Sequence, residues 1–268
     1  MSLFRNLSIG FGPVHNVVSF QQRVWQVILT TLCLLLLAPI MAVIVSAIGD
    51  TSGLLRHLTY TVLPTYVTTT LSLMFAVGLI ALLFGVTTAW IVSRYQFFGK
   101  RVIEWMLVLP AAIPAYIIAY CYTDFLEYAG PLQTGLRALF GWQSSRDYWF
   151  PEVRSFGGAA LMMASVLYPY VYLLARTAFR QTSRDLFEMT ALSGRNMFVY
   201  AALPLARPAI VAGLSLVLME VVSDFGTVEF FALETLTLGI FNVWLGMNNI
   251  TAAAQLAVFA FFLIGGLL

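Results

Sequence analysis

The sequence predicts an all-α fold: a polytopic helical membrane protein with six transmembrane helices and one short helix outside the bilayer. Three observations carry this. Hydrophobic residues make up 60% of the 268-residue chain and charged ones 10%, whereas a soluble domain has about 25% charged residues. The mean hydropathy is +0.88. Several apolar runs approach or exceed the ~20 residues that cross a bilayer as a helix, and such unbroken runs do not suit the alternating pattern of a barrel strand. The net charge of +2 is too small to point to nucleic acid as a partner. The partner this composition requires is the lipid bilayer.

The spans are expected at 24–48, 63–93, 102–123, 156–178, 205–224 and 252–268, which leaves an N-terminal segment, 1–23, ahead of a transmembrane domain, 24–268. The first run, Val24 to Ile48, is too long for the apolar core of a cleaved signal. Lys and Arg favour cytoplasmic loops. Arg5 and Arg23 precede the first span, Arg94, Lys100 and Arg101 follow the second, and Arg176, Arg180, Arg184, Arg195 and Arg207 surround the loop after the fourth: ten of the fourteen basic residues. These loops and both termini are therefore expected in the cytoplasm. The opposite loops hold Asp50, Asp124, Glu127, Asp147, Glu152, Asp224, Glu229 and Glu234, with only Arg56, Arg137, Arg146 and Arg154. Trp25, Trp90 and Trp105 fall at the expected cytoplasmic interface, where indole rings are favoured. The chain stops at Leu268, inside its last apolar run, so either the sixth span finishes there or the sequence is part of a longer product.

Cys33 and Cys121 lie inside apolar spans and read as small buried hydrophobes. His15 and His57 are isolated, no metal-ligand spacing occurs, and no cofactor or resident metal is expected. Pro39, Pro110, Pro114 and Pro169 fall within spans and each removes a helical donor. In "LPAAIPAY" two of them stand four residues apart. That is either ordinary packing or a bent wall around a path.

The longest polar-rich stretch in the second half is "RDLFEMTALSGRNMFVYAALPLARP", residues 184 to 208. Arg176, Arg180 and Arg184 are spaced i, i+4, i+8 and are expected to reach lipid phosphates. Asp185 and Glu188 resemble a capping box, and Gly194 is a natural helix stop. A helix of about two turns between them is unstable alone in water and must dock on its own bundle or on a partner. Leu203, Pro204 and Pro208 then return the chain to the membrane, proline being favoured near a helix start.

These residues carry a resemblance. "EMTALSG" at 188–194, followed by Leu203 and Pro204, resembles the coupling-loop motif of the permease subunits of binding-protein-dependent ABC importers: Glu-Ala-Ala, three residues, Gly, then Ile-x-Leu-Pro. Met189 and Thr190 stand where that motif has its two alanines, and Gly194 to Pro204 is ten residues where the family has thirteen. "SDFGTVEFFALETLTLGIFNVWLGMNN" at 223–249 resembles the ferric-iron permeases in particular. The resemblance implies a passive gate in the bacterial inner membrane that is not itself an enzyme. It further implies a separate cytoplasmic ATP-binding subunit docked on Asp185, Glu188, Ala191, Gly194, Leu203 and Pro204. A periplasmic substrate-binding protein and a second permease half, as a homodimer or a fused C-terminal half, complete the set. No GxxxxGK[ST] occurs in this chain, so the ATPase would be another polypeptide. Related permeases carry thiamine, sulfate, molybdate or polyamines.

The fifth span ends in acids. Glu220 and Asp224 are i, i+4 in a stripe with Gly213 and Val217, and Glu229 and Glu234 follow. Like charges at that spacing repel, so a basic partner, protonation or a bound cation is expected, or else the acids cap helices or face water. As candidates for a substrate pathway, Glu220, Asp224 and Glu229 suit a hard cation such as ferric iron. Glu104 is expected to pair locally with Lys100 and Arg101. An ATPase-independent secondary transporter would leave the docking helix without a use. A membrane enzyme would need converging catalytic groups inside the spans, and the sequence offers none.

Overall fold

The computed structural model describes residues 20–51 and 53–267. The expectations for Arg5, His15 and most of the 1–23 segment lie outside the described residues. Among these there is no strand. Twelve α-helices follow in order: α1 (Phe20–Ser46), α2 (Leu54–Thr61), α3 (Leu63–Arg94), α4 (Lys100–Met106), α5 (Ala115–Leu126), α6 (Pro131–Phe140), α7 (Phe156–Gln181), α8 (Arg184–Leu192), α9 (Leu203–Ser223), α10 (Gly226–Phe230), α11 (Leu236–Phe241) and α12 (Ile250–Gly265).

The core is the triple crossing of α3, α7 and α9. Without a hydrophobic drive between helices in lipid, close backbone approach decides packing, and small residues permit it. Val171 of α7 sits between two glycines. A Cβ on Gly85 of α3 would stand 2.7 Å from the Val171 Cβ, and one on Gly213 of α9 2.8 Å from its Cα. Ala81, Ala89, Ala164, Ala175 and Ala206 line the same seam and are buried. By contrast α1 is predominantly apolar, is exposed over residues 22–45, and packs chiefly on α12. Gln255 of α12 ties its end down, donating from Nε2 to the carbonyls of Ala47 (3.0 Å) and Gly49 (3.2 Å).

The six expected spans resolve differently from one another. α1, α3, α7 and the run 198–223 are long and apolar enough to cross a membrane. The third span is not one rod: 100–112 and 115–140 meet at an angle of 101°. Ile113 before Pro114 is extended, φ −113°, ψ 129°, as the pre-proline clash demands, and Pro110 opens a short 3₁₀ turn, Leu109–Ala112. The sixth is a helix of 16 residues, about 24 Å long. Cys33 and Cys121 are free and exposed on the outer faces of α1 and α5, which corrects their reading as buried. Trp90 is half-buried and packs against Phe179 (5.5 Å between ring centroids) and Phe198 (5.1 Å).

Candidate functional site: a projecting helix and an acidic segment at the two ends of α9

At the first end, the island of charges folds as α8. Its N-cap is Ser183, with no side-chain cap bond. Asp185 is thus the second helical residue, not the cap, and the expected capping box is not formed. Asp185 still favours the helix through its place in the first turn. The C-terminus follows expectation. Gly194 has φ +67°, its N–H bonds to the Ala191 carbonyl at 3.0 Å, and the Arg195 N–H reaches the Thr190 carbonyl at 3.3 Å. That pair of bonds is a Schellman closure, which needs a residue at ease in the left-handed region.

Asp185, Glu188 and Ala191 are exposed, and so are Met189 (68%) and Leu192 (88%). α8 therefore presents two large apolar side chains beside two carboxylates, with Leu186 and Thr190 half-buried behind them. The Asn196 carboxamide oxygen then accepts from the N–H groups of Phe198 (2.9 Å) and Val199 (3.2 Å). Pro204 has no N–H to return to Tyr200, and the chain passes this gap as a π turn, Phe198–Ala202, with the Leu203 N–H on the Phe198 carbonyl. Leu203 packs on the main core. Asn196 was not singled out from the sequence, although an Asn just ahead of a helical run is a capping signal.

Glu104 does not pair with its neighbours Lys100 and Arg101. It receives Arg176 Nη2 and, at 2.7 Å, Arg180 Nη2, while Lys100 donates to the Tyr95 carbonyl at 3.0 Å. Two of the three arginines expected at lipid phosphates thus join α4 to the end of α7, the helix from which α8 departs.

At the other end of α9, Asp224 is turned onto α10. Its Oδ1 accepts the Thr227 N–H at 2.7 Å and its Oδ2 the Thr227 hydroxyl at 3.0 Å. The Glu220–Asp224 repulsion is eased by this helix start rather than by a basic side chain. Glu220 is exposed, and among the described residues its carboxylate has no hydrogen bond or ion pair. α10 is a wedge. A Cβ on Gly226 would lie 3.0 Å from the Tyr116 Cβ on α5, Thr227 and Val228 are fully buried, and Phe231 nearly so. Glu229 and Glu234 are exposed. Among the described residues no three His, Cys, Asp or Glu side chains are grouped to hold a metal ion.

A family of "binding-protein-dependent transport system inner membrane component" proteins matches residues 81–268, from mid-α3 through α12. The chain belongs to this family. It is a permease, a multi-pass membrane transport component and not an enzyme. The permease is 28% identical over 193 residues to the Fe(3+)-transport system permease protein FbpB 2 of Haemophilus influenzae; the match takes 70% of this chain and 33% of that protein. It is 23% identical over 158 residues to a protein of Bacillus subtilis named for molybdenum transport, covering 58% of this chain and 66% of the relative. With a protein of Chlorokybus atmophyticus named for sulfate transport, identity is 27% over 219 residues, 78% of this chain and 71% of the relative. The permease thus spans one third of the Haemophilus protein's length, and its relatives are named for different cargoes.

Proposed function

We propose that this permease moves ferric iron from periplasm to cytoplasm across the bacterial inner membrane, driven by a separate ATP-binding subunit that docks on the loop 185–204. One observation carries the reading. α8 is a closed helix of nine residues that shows Met189, Leu192, Asp185 and Glu188 to solvent. A helix this short is not stable alone in water, and an apolar pair on its face is what a partner's groove covers. The loops with ten of the fourteen basic residues are cytoplasmic on this reading, with the N-terminus, so α8 faces the ATPase. A periplasmic substrate-binding protein delivers cargo to the opposite face, and a second permease half, a second copy or a fused partner, completes the path.

Ferric iron is supported by the 223–249 stretch and by the Haemophilus relative's name. The relatives named for molybdenum and sulfate favour a second reading of the cargo, an oxyanion; thiamine and polyamines are the remaining alternatives. An ATPase-independent transporter would leave α8 unexplained.

The test is Gly194→Val. No heavy atom beyond its neighbours lies within 4 Å of a Cβ there, so the change acts through the left-handed backbone alone. The expected result is normal accumulation in the membrane with a several-fold loss of ATPase co-purification and transport-linked ATP hydrolysis. Wild-type values of both would remove α8 as the docking site. A reporter fused after Arg195 should read cytoplasmic and one within 124–154 periplasmic; the reverse would overturn the topology.

A further inference from the structure

Between α5 and α10 lies an open cleft of about 530 Å³, of the size that holds small ligands. Its walls are Tyr116, Ile117, Tyr120, Gly226, Glu229 and Phe230. Register builds it. Tyr116 and Tyr120 are one turn apart on α5, and Gly226 and Phe230 one turn apart on α10. Gly226 abuts Tyr116, and the Tyr120 and Phe230 ring centroids are 5.9 Å apart. Glu229 follows on the same turn of α10. Among the described residues neither phenol nor the Glu229 carboxylate has a hydrogen bond or ion pair. None of the six lining residues is basic. The nearby Arg154, 5.0 Å from the Phe230 ring centre, is held by Glu127 at 2.5 Å. Tyr116 also stands two residues past the Pro114 break, and interrupted membrane helices are where transporters form cavities.

We propose that Tyr116, Tyr120 and Glu229 form a transit site for a trivalent hard cation. The proposal rests on the permease reading and narrows its cargo to cations. Carboxylate oxygens suit hard cations, and a tyrosine oxygen is an established ligand of iron. A tetrahedral oxyanion would meet a carboxylate and no positive side chain. Each phenol that binds iron releases its proton to water, so binding tightens as pH rises. Three protein ligands leave the remaining positions to water, which keeps the cation releasable, as passage requires.

The experiment uses the full chain in lipid vesicles with ferric citrate, and separately with sulfate and molybdate. The expected result is a saturable visible phenolate-to-iron charge-transfer absorption, stronger at higher pH and absent with either oxyanion. Tyr116→Phe with Tyr120→Phe should abolish it. Glu229→Gln should weaken binding about 10-fold or more, since even outer-sphere partners of metal ligands are worth that much. Each Phe removes only a hydroxyl, and membrane content of the variants provides the folding control. Absence of the band, or its persistence in the double variant, overturns the site. Cellular uptake separates the two levels. Wild-type iron uptake that the double variant keeps defeats the site and leaves the permease reading standing. Uptake of an oxyanion but not iron by the wild type defeats the ferric reading and the site with it.

Discussion

α8 and α10 stand at opposite ends of α9 and end in the same hydrogen-bond pattern, yet one projects and the other is wedged in. In α8 the Arg195 and Gly194 N–H groups return to Thr190 and Ala191. In α10 the Leu233 and Ala232 N–H groups return to Val228 (2.8 Å) and Glu229 (3.0 Å). The residue in the left-handed position is Gly194 in one, φ +67°, and Ala232 in the other, φ 53°. α8 leaves Met189 and Leu192 exposed, while α10 buries Thr227, Val228 and Phe231. The docked helix tolerates a strained alanine because its packing over-determines the turn. The projecting helix has no such support and closes on glycine. Backbone chemistry ends a short helix; its neighbours decide whether it is a handle or a wedge.

The sharpest way to break the comparison is valine at the close contact of the wedge. Gly226→Val would place branched atoms against Tyr116, already 3.0 Å from an added Cβ. Overpacking of this kind costs about 1–3 kcal/mol, so the thermal unfolding midpoint in detergent and the membrane content should both fall. Gly194→Val should leave membrane content unchanged and lose ATPase association, with a fall in midpoint that comes from the left-handed backbone alone. Equal losses of folded protein in the two variants would erase the distinction.

Next in size is the cap. Asp224→Ala removes both bonds to Thr227 and should lower stability by ~1 kcal/mol, read as a lower unfolding midpoint. Asp185→Ala, at a residue that makes no cap bond, should change it by much less. A smaller effect of opposite sign is expected at the strained turn. Ala232→Gly should raise the midpoint through relief of the ~1–2 kcal/mol that a left-handed L-residue costs, offset in part by glycine's greater freedom when unfolded. Gly194→Ala should lower it.

The smallest effect lies outside both helices. The Ser144 N–H, followed by that of Gln143, bonds to the Asp147 carboxylate and holds its pKa below the usual carboxylate range. A group depressed in the folded state contributes stability above its unfolded pKa and loses it as pH falls through the folded value. Protease resistance of the 141–155 loop should therefore decline at acid pH, and Asp147→Asn should show the lower resistance at neutral pH and remove the pH dependence.

Much of the scaffold was legible in the residues. The apolar runs of α1, α3 and α7 announce themselves by length, because a bilayer requires about 20 apolar residues whatever the neighbours are. Gly194 could be read as a helix stop because left-handed backbone is a local preference. Pro110 and Pro114 left a bend open as one of two readings, and membership in the permease family was foreshadowed by "EMTALSG" and "DFGTVEFF". The partners of charged groups were not legible. Glu104 had Lys100 and Arg101 within a turn, yet Arg176 and Arg180, over 70 residues away, take it. Asp224 was spaced to face Glu220 and instead caps α10. The N-cap fell to Ser183 and not Asp185, since several adjacent residues in "TSRD" can start a helix. The sequence by itself determined where the chain is apolar and where its backbone must turn, because those are properties of single residues and their near neighbours. Only the tertiary structure decided the 101° direction of the broken span, the approach of Gly85 and Gly213 to Val171, and which oxygens stay unpaired at the α5–α10 cleft, because each depends on atoms that the fold brings together from distant parts of the chain.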